Sequence, residues 1–117
     1  MKQALETVYQ ALVAAFPVQF ALTKISRAWP QIKPPLPSIS FYLSSWQTPV
    51  KGCLSIGVAL LIRAGDPLGC DEYSAVCATA LAGIGYALLD ARDGAEEDTG
   101  CYLKQLDFKK ETWSVWV

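Results

Sequence analysis

Ser38-Ile39-Ser40-Phe41-Tyr42-Leu43-Ser44 and, further on, Leu54-Ser55-Ile56-Gly57-Val58-Ala59-Leu60-Leu61-Ile62-Arg63 decide the fold of this chain. In the first stretch Ile39, Phe41 and Leu43 alternate with Ser38, Ser40, Tyr42 and Ser44. Successive side chains of a strand point to opposite faces, so a period of two describes a strand with one face in a core. In the second stretch Leu54, Ile56, Val58, Leu60 and Ile62 line one face, and Ser55, Gly57, Ala59, Leu61 and Arg63 line the other. The connection through Trp46, Gln47, Thr48, Pro49, Val50, Lys51 and Gly52 is long enough for an exposed hairpin loop. Trp46 beside such a loop is either a strand-end packing residue or an interface anchor.

Working outward towards the N-terminus, four prolines between Pro30 and Pro37 require an extended connection laid across the surface. Residues 18–23 admit a short strand. Before them Leu5, Val8, Leu12 and Phe16 recur at spacings of three and four, which predicts an amphipathic helix over residues 2–15, ended by Pro17.

Towards the C-terminus, residues 65–69 read as a turn and residues 71–89 as a second helix, with Asp71 and Glu72 in its first turn. Its stripe is Tyr73, Val76, Cys77, Ala80, Leu81, Ile84 and Leu88. Its other face, with Ala78, Ala82 and Gly85, is small rather than charged, so this helix is expected to be covered on more than one side. Gly83-Ile84-Gly85 falls inside it and reads as close helix packing. Residues 90–100, with Asp90, Arg92, Asp93, Glu96, Glu97 and Asp98, read as an acidic loop. Residues 101–117 read as strand, with Lys109-Lys110 marking either a hairpin turn or the middle of one long strand. Trp113 lies on one face of it and Trp116 on the other, so both faces are expected to be covered. The resulting fold class is α+β: one mostly antiparallel sheet of about four to five strands with two helices packed on one face, in the order α-β-β-β-α-β-β. All 117 residues are expected to form a single domain.

Composition narrows the function. Hydrophobic residues make up 52% of the chain and charged residues only 18%, so part of the surface is expected to be buried against other subunits. A net charge of −1 argues against nucleic acid as a main partner. The distribution is uneven. Residues 1–63 hold six basic residues and one acidic residue, leaving +5, whereas residues 64–117 hold four basic and ten acidic residues, leaving −6. Two differently charged solvated faces account for this; so does head-to-tail contact between copies. No apolar run reaches the ~18 residues of a membrane helix, and the N-terminus reads as a helix rather than a signal peptide, so a soluble protein made in the cytoplasm is expected.

Catalytic constellations are not evident. The chain has no histidine, which removes imidazole-based triads and metal sites. It has neither of the glycine-rich phosphate-binding fingerprints. Cys53, Cys70, Cys77 and Cys101 are scattered and read as buried small hydrophobes rather than as a zinc site, Cys77 most of all because it lies on the helix stripe. Glu96, Glu97 and Asp98 lack the alternating spacing of a calcium loop and read as a solvated charge run. No enzyme, no metal and no cofactor are expected.

The element order resembles a family. An N-terminal amphipathic helix (Leu5, Val8, Leu12) ends at Phe16-Pro17. A proline-rich approach leads into Leu36-Pro37-Ser38-Ile39-Ser40-Phe41-Tyr42-Leu43, a loop joins that strand to residues 54–62, and Asp66-Pro67, a second helix and an aromatic C-terminal strand follow. In pattern and length, over nearly the whole chain, this is similar to the tail terminator proteins of long-tailed bacteriophages, as in lambda-like tails and related prophage or tailocin particles. The resemblance implies a virion structural protein, located at the head-proximal end of the tail. It implies a homo-oligomeric ring, usually a hexamer, that caps the tail tube and stops its polymerisation. Its partners would be other copies of itself, the tail tube protein, and a head-completion or neck protein. The contacts would fall on Trp46, Gln47, Thr48, Pro49 and Lys51 of the hairpin, on Asp90, Arg92, Asp93, Glu96, Glu97 and Asp98 of the acidic loop, and on Trp113 and Trp116.

Two other readings remain. One is a different small neck or tail-completion protein of the same kind of particle. The other is a small dimeric ligand-binding or regulatory domain, which would need a pocket with converging polar groups.

Overall fold

The computed structural model describes residues 2–16, 25–27, 37–48, 50–95 and 100–113. Its elements are α1 (Lys2–Ala15), β1 (Ile25–Arg27), β2 (Ser38–Gln47), β3 (Cys53–Ala64), α2 (Pro67–Ala82), β4 (Ala87–Ala95) and β5 (Tyr102–Trp113). The strands form one sheet in the order β1-β2-β3-β5-β4. Among the described residues, only the β1–β2 pair is parallel. The α+β class and the α-β-β-β-α-β-β order therefore hold. Residues 18–23, expected as a possible first strand, and most of the proline-rich connection lie outside the described residues.

β3 is central, flanked by β2 and β5, and ten of its twelve residues are buried. Its even-numbered residues Ile56, Val58, Leu60 and Ile62 face the helices together with Ile39 and Phe41 of β2 and Leu106 and Phe108 of β5. Val8 and Leu12 of α1 and Cys77 and Leu81 of α2 enter the same core, so both helices cover one face of the sheet. Tyr9 stacks on Phe41 at 6.4 Å between ring centroids, and Phe16 meets Tyr73 at 6.2 Å, tying α1 to the sheet and to α2. Among the described residues, no helix is long and apolar enough to cross a membrane.

The second helix departs from expectation at both ends. Residues 65–69 are not a free-standing turn: Asp66 caps α2, its side chain accepting from the Gly69 amide, and Pro67 takes the first helical turn. An aspartate cap followed by proline satisfies one orphan amide and removes another, so the helix starts earlier than Asp71. At the other end the Tyr86 amide donates to the Leu81 carbonyl (3.0 Å) and the Gly85 amide to that of Ala82 (3.1 Å), with Gly85 at φ +95°. This is a Schellman termination, which needs a residue free to adopt the left-handed conformation. Gly83-Ile84-Gly85 is thus the stop of the helix and not packing within it. Residues 87–95, expected as the end of a helix and the start of an acidic loop, form β4 instead. The two C-terminal strands of the expected order are therefore β4 and β5; the latter runs unbroken through Lys109-Lys110 to Trp113.

Two bulges set which way side chains face. Between Leu43 and Ser45 the β2–β3 register shifts, and Gly57 lies against the bulge, where a Cβ would collide with the hydroxyls of Ser44 and Ser45. The shift reverses the alternation, so that Trp46 pairs with Ile56 and faces the helices. A second shift, between Leu88 and Asp90, puts Leu88 opposite Phe108 and Asp90 opposite Asp107.

Candidate functional site

The residues singled out from the sequence fall in two places. The first is the end of the sheet carrying the β2–β3 hairpin. The Cys53 amide closes a turn onto the Val50 carbonyl (3.1 Å), with Gly52 in its third position at φ +87°, a left-handed conformation that glycine adopts without steric cost. Gln47, Thr48, Val50 and Lys51 are exposed around it. Trp46 is 40% exposed and Trp113, opposite Cys53 in the register, is 66% exposed. Hence Trp46, Gln47, Thr48, Lys51 and Trp113 share one end of the sheet. Trp46 also forms a wall of a cleft of about 390 Å³ between the sheet and α1, completed by Gln3, Thr7, Tyr86 and Lys110. Lys110 Nζ lies 5.7 Å from the centroid of the Tyr86 ring, within cation–π range. Pro49 and Trp116 lie outside the described residues.

The second place is β4, an end strand of the sheet, exposed along all nine residues. Arg92 bonds Asp107 (Nη2 to Oδ2, 3.0 Å) and approaches Asp90 (Nε to Oδ2, 3.4 Å). Lys104 on β5 reaches Asp71 at 2.8 Å and Asp93 at 3.5 Å, linking the second turn of α2 to the edge of the sheet. The hydrogen bond to Asp71 is the main reason that the Lys104 ammonium is held above its usual pKa, against a smaller opposing effect of burial. Leu88 and Leu89, 48% and 64% exposed, stand beside these charges. Asp90, Arg92 and Asp93 are thus strand residues and not members of a loop. Glu96, Glu97 and Asp98 lie outside the described residues.

Sequence reasoning missed Asp71, Lys104 and Asp107 as partners of this edge, and Tyr86 and Lys110 as walls of the cleft. Asp71 and Lys104 are 33 positions apart, and only the packing of α2 on β5 joins them. A signal for Tyr86 was present: a glycine-bounded stop followed by a large apolar residue is the pattern of a Schellman termination.

Burial keeps two of the four cysteine thiols, Cys70 and Cys77, in their neutral form. All four are buried, and none forms a disulfide. Burial pushes the Cys77 thiol up to about 12, and it also raises Cys70, whose Sγ donates to the Tyr102 carbonyl at 3.3 Å. A thiol held neutral is a poor nucleophile. Among the described residues no group of three or more cysteines and carboxylates gathers to hold a metal ion. The two places offer exposed aromatic, apolar and charged surface.

No protein-family model matches the sequence, and no curated protein matches it. Among solved structures, this fold is similar to that of a chain from the virion of a native gene transfer agent particle, with a TM-score of 0.56 and 16% sequence identity. The likeness covers 92% of this chain and 92% of that one. At that identity it concerns the fold.

Proposed function

We propose that this protein is a non-enzymatic structural component of a phage-like virion, and within it the tail terminator. The observation that carries this reading is the shared fold: it spans nearly the full length of both chains, and the other chain belongs to a virion particle. The element order, read from sequence, favours the same class of protein. In this reading about six copies close into a ring on the tail tube, stop its growth, and offer their other face to a head-completion protein. The hairpin end, with Trp46, Gln47, Thr48, Lys51 and Trp113, contacts tube or neck. Aromatic and apolar side chains there supply the area that anchors an interface, and Lys51 lies at its polar rim.

Native mass spectrometry of the purified full chain, with negative-stain imaging of large species, tests the ring. A closed ring of about six copies with a central hole supports the terminator. If the protein is monomeric alone, purified tail tubes are added and one tube end is scored for bound protein. Decoration along the whole tube, or none at all, overturns this reading. A stable dimer that ignores tubes returns the regulatory-domain alternative.

A further inference from the structure

An open sheet has two edges, and a ring of identical subunits needs two different surfaces that fit each other. Among the described residues the edges are β1 and β4. We propose that β4 of one copy receives β1 of the next, so that the sheets of neighbouring subunits join edge to edge; this rests on the ring reading above.

β4 is built to accept a strand. It is nine residues long, exposed throughout and free of proline. The Ala91 amide donates to the side-chain carboxylate of the preceding Asp90 at 3.0 Å, a local contact that an incoming strand would displace. Leu88 and Leu89 give the edge an exposed apolar end. Its charges are already matched within the subunit, Arg92 by Asp107 and Asp90, and Asp93 by Lys104, so an incoming backbone does not meet unpaired charge.

β4 is poorly suited to pair with itself. Two-fold antiparallel pairing centred on Arg92 sets two guanidiniums opposite each other, and pairing centred on Asp93 does the same with two carboxylates. Centring on Ala91 draws the bulge at Leu89 into the ladder. A different strand is therefore required, and the other edge among the described residues is β1. Direction agrees. β1 runs with β2, and successive antiparallel pairs through β3 and β5 leave β4 opposed to β1. Rotation about an axis along the strands then brings β1 of one copy antiparallel to β4 of the next.

Cross-linking tests this contact. Ser26→Cys and Ala91→Cys are made separately in the full chain, mixed, assembled with or without tail tubes, treated with a short bis-maleimide, and the linked peptides mapped by mass spectrometry. A link between positions 26 and 91 in the mixture, with neither variant linking to itself at those positions, is the expected result. Ala91→Pro, which leaves no amide at that position of an edge strand, is expected to keep the wild-type circular dichroism and to lose ring formation at least tenfold. If wild-type rings form but carry no 26–91 link and Ala91→Pro still assembles, the edge contact is wrong while the ring reading stands. If 26–91 links form in concentrated solution and no ring appears on tubes or alone, the contact stands as an open chain and the terminator reading fails. A 91–91 link overturns the proposal in favour of a two-fold pair.

Discussion

β3 and β4 are both strands of one sheet, and they have almost nothing else in common. β3 lies between two neighbours, and ten of its twelve residues are buried; β4 has one neighbour, and all nine of its residues are exposed. The apolar alternation of β3 would make it a strand in any half-buried setting. β4, Ala-Leu-Leu-Asp-Ala-Arg-Asp-Gly-Ala, has no such period, and its leading Ala-Leu-Leu continues a helical stripe as readily as it starts a strand. A central strand is specified by its own residues, and this edge strand by the partner it lies against and the stop that precedes it.

The comparison is broken most directly by substitutions at the two places. Phe41→Ala, opposite Leu60 and fully buried, should destabilise the protein by about 3–5 kcal/mol, measured by urea denaturation. The interior also has a pH signature. The Cys77 thiol ionises near its ordinary value of 9.0 when unfolded but only near about 12 when folded, so the native state holds its proton longer. Its stabilising contribution is complete below pH 9 and is lost as pH rises towards 12. Between pH 9 and about pH 10.5 the loss is on the order of 2 kcal/mol, and Cys77→Ala should flatten that slope in denaturation midpoints taken across the range.

The boundary between helix and edge strand comes next in size. Gly85→Ala forces a Cβ into a left-handed position, with Lys110 Cε 3.2 Å away, and should cost about 1–2 kcal/mol by thermal or urea denaturation. At β4 itself, Leu89→Ala should change monomer stability by less than about 0.5 kcal/mol, because the side chain is 64% exposed. A larger loss there, with oligomeric state unchanged, would mean that β4 is part of the folding core and would erase the contrast with β3.

The legible parts of the fold share a physical cause. The stripe of α1 and the alternations of β2 and β3 each repeat with the period of the element, because each buries one face in the same core. The chain order of elements followed, although β4 was drawn from residues expected to end the second helix and begin the acidic loop. At the candidate site the hairpin was legible from Trp46-Gln47-Thr48-Pro49-Val50-Lys51-Gly52. The position of Trp46 was not. Strict alternation from Phe41 and Leu43 sends it away from the helices, and the bulge before Ser45, admitted by Gly57 on the adjoining strand, turns it back over Ile56. Likewise Asp90, Arg92 and Asp93 were marked as an exposed acidic group, while their matching by Asp107 and Lys104 depends on a strand pairing that no local pattern announces.

What the sequence determined by itself was the set of apolar faces: one on α1, one on β2, one on β3, and a poorly charged second helix to cover them. Those follow from side-chain periodicity, which is local. Only the tertiary structure decided where the second helix stops, which segment became the exposed edge, and which side chains meet across it. Those depend on a left-handed glycine, on two one-residue register shifts, and on contacts between residues distant along the chain. Their free energies are set by the neighbour present in the folded sheet, which a pattern read along one strand does not contain.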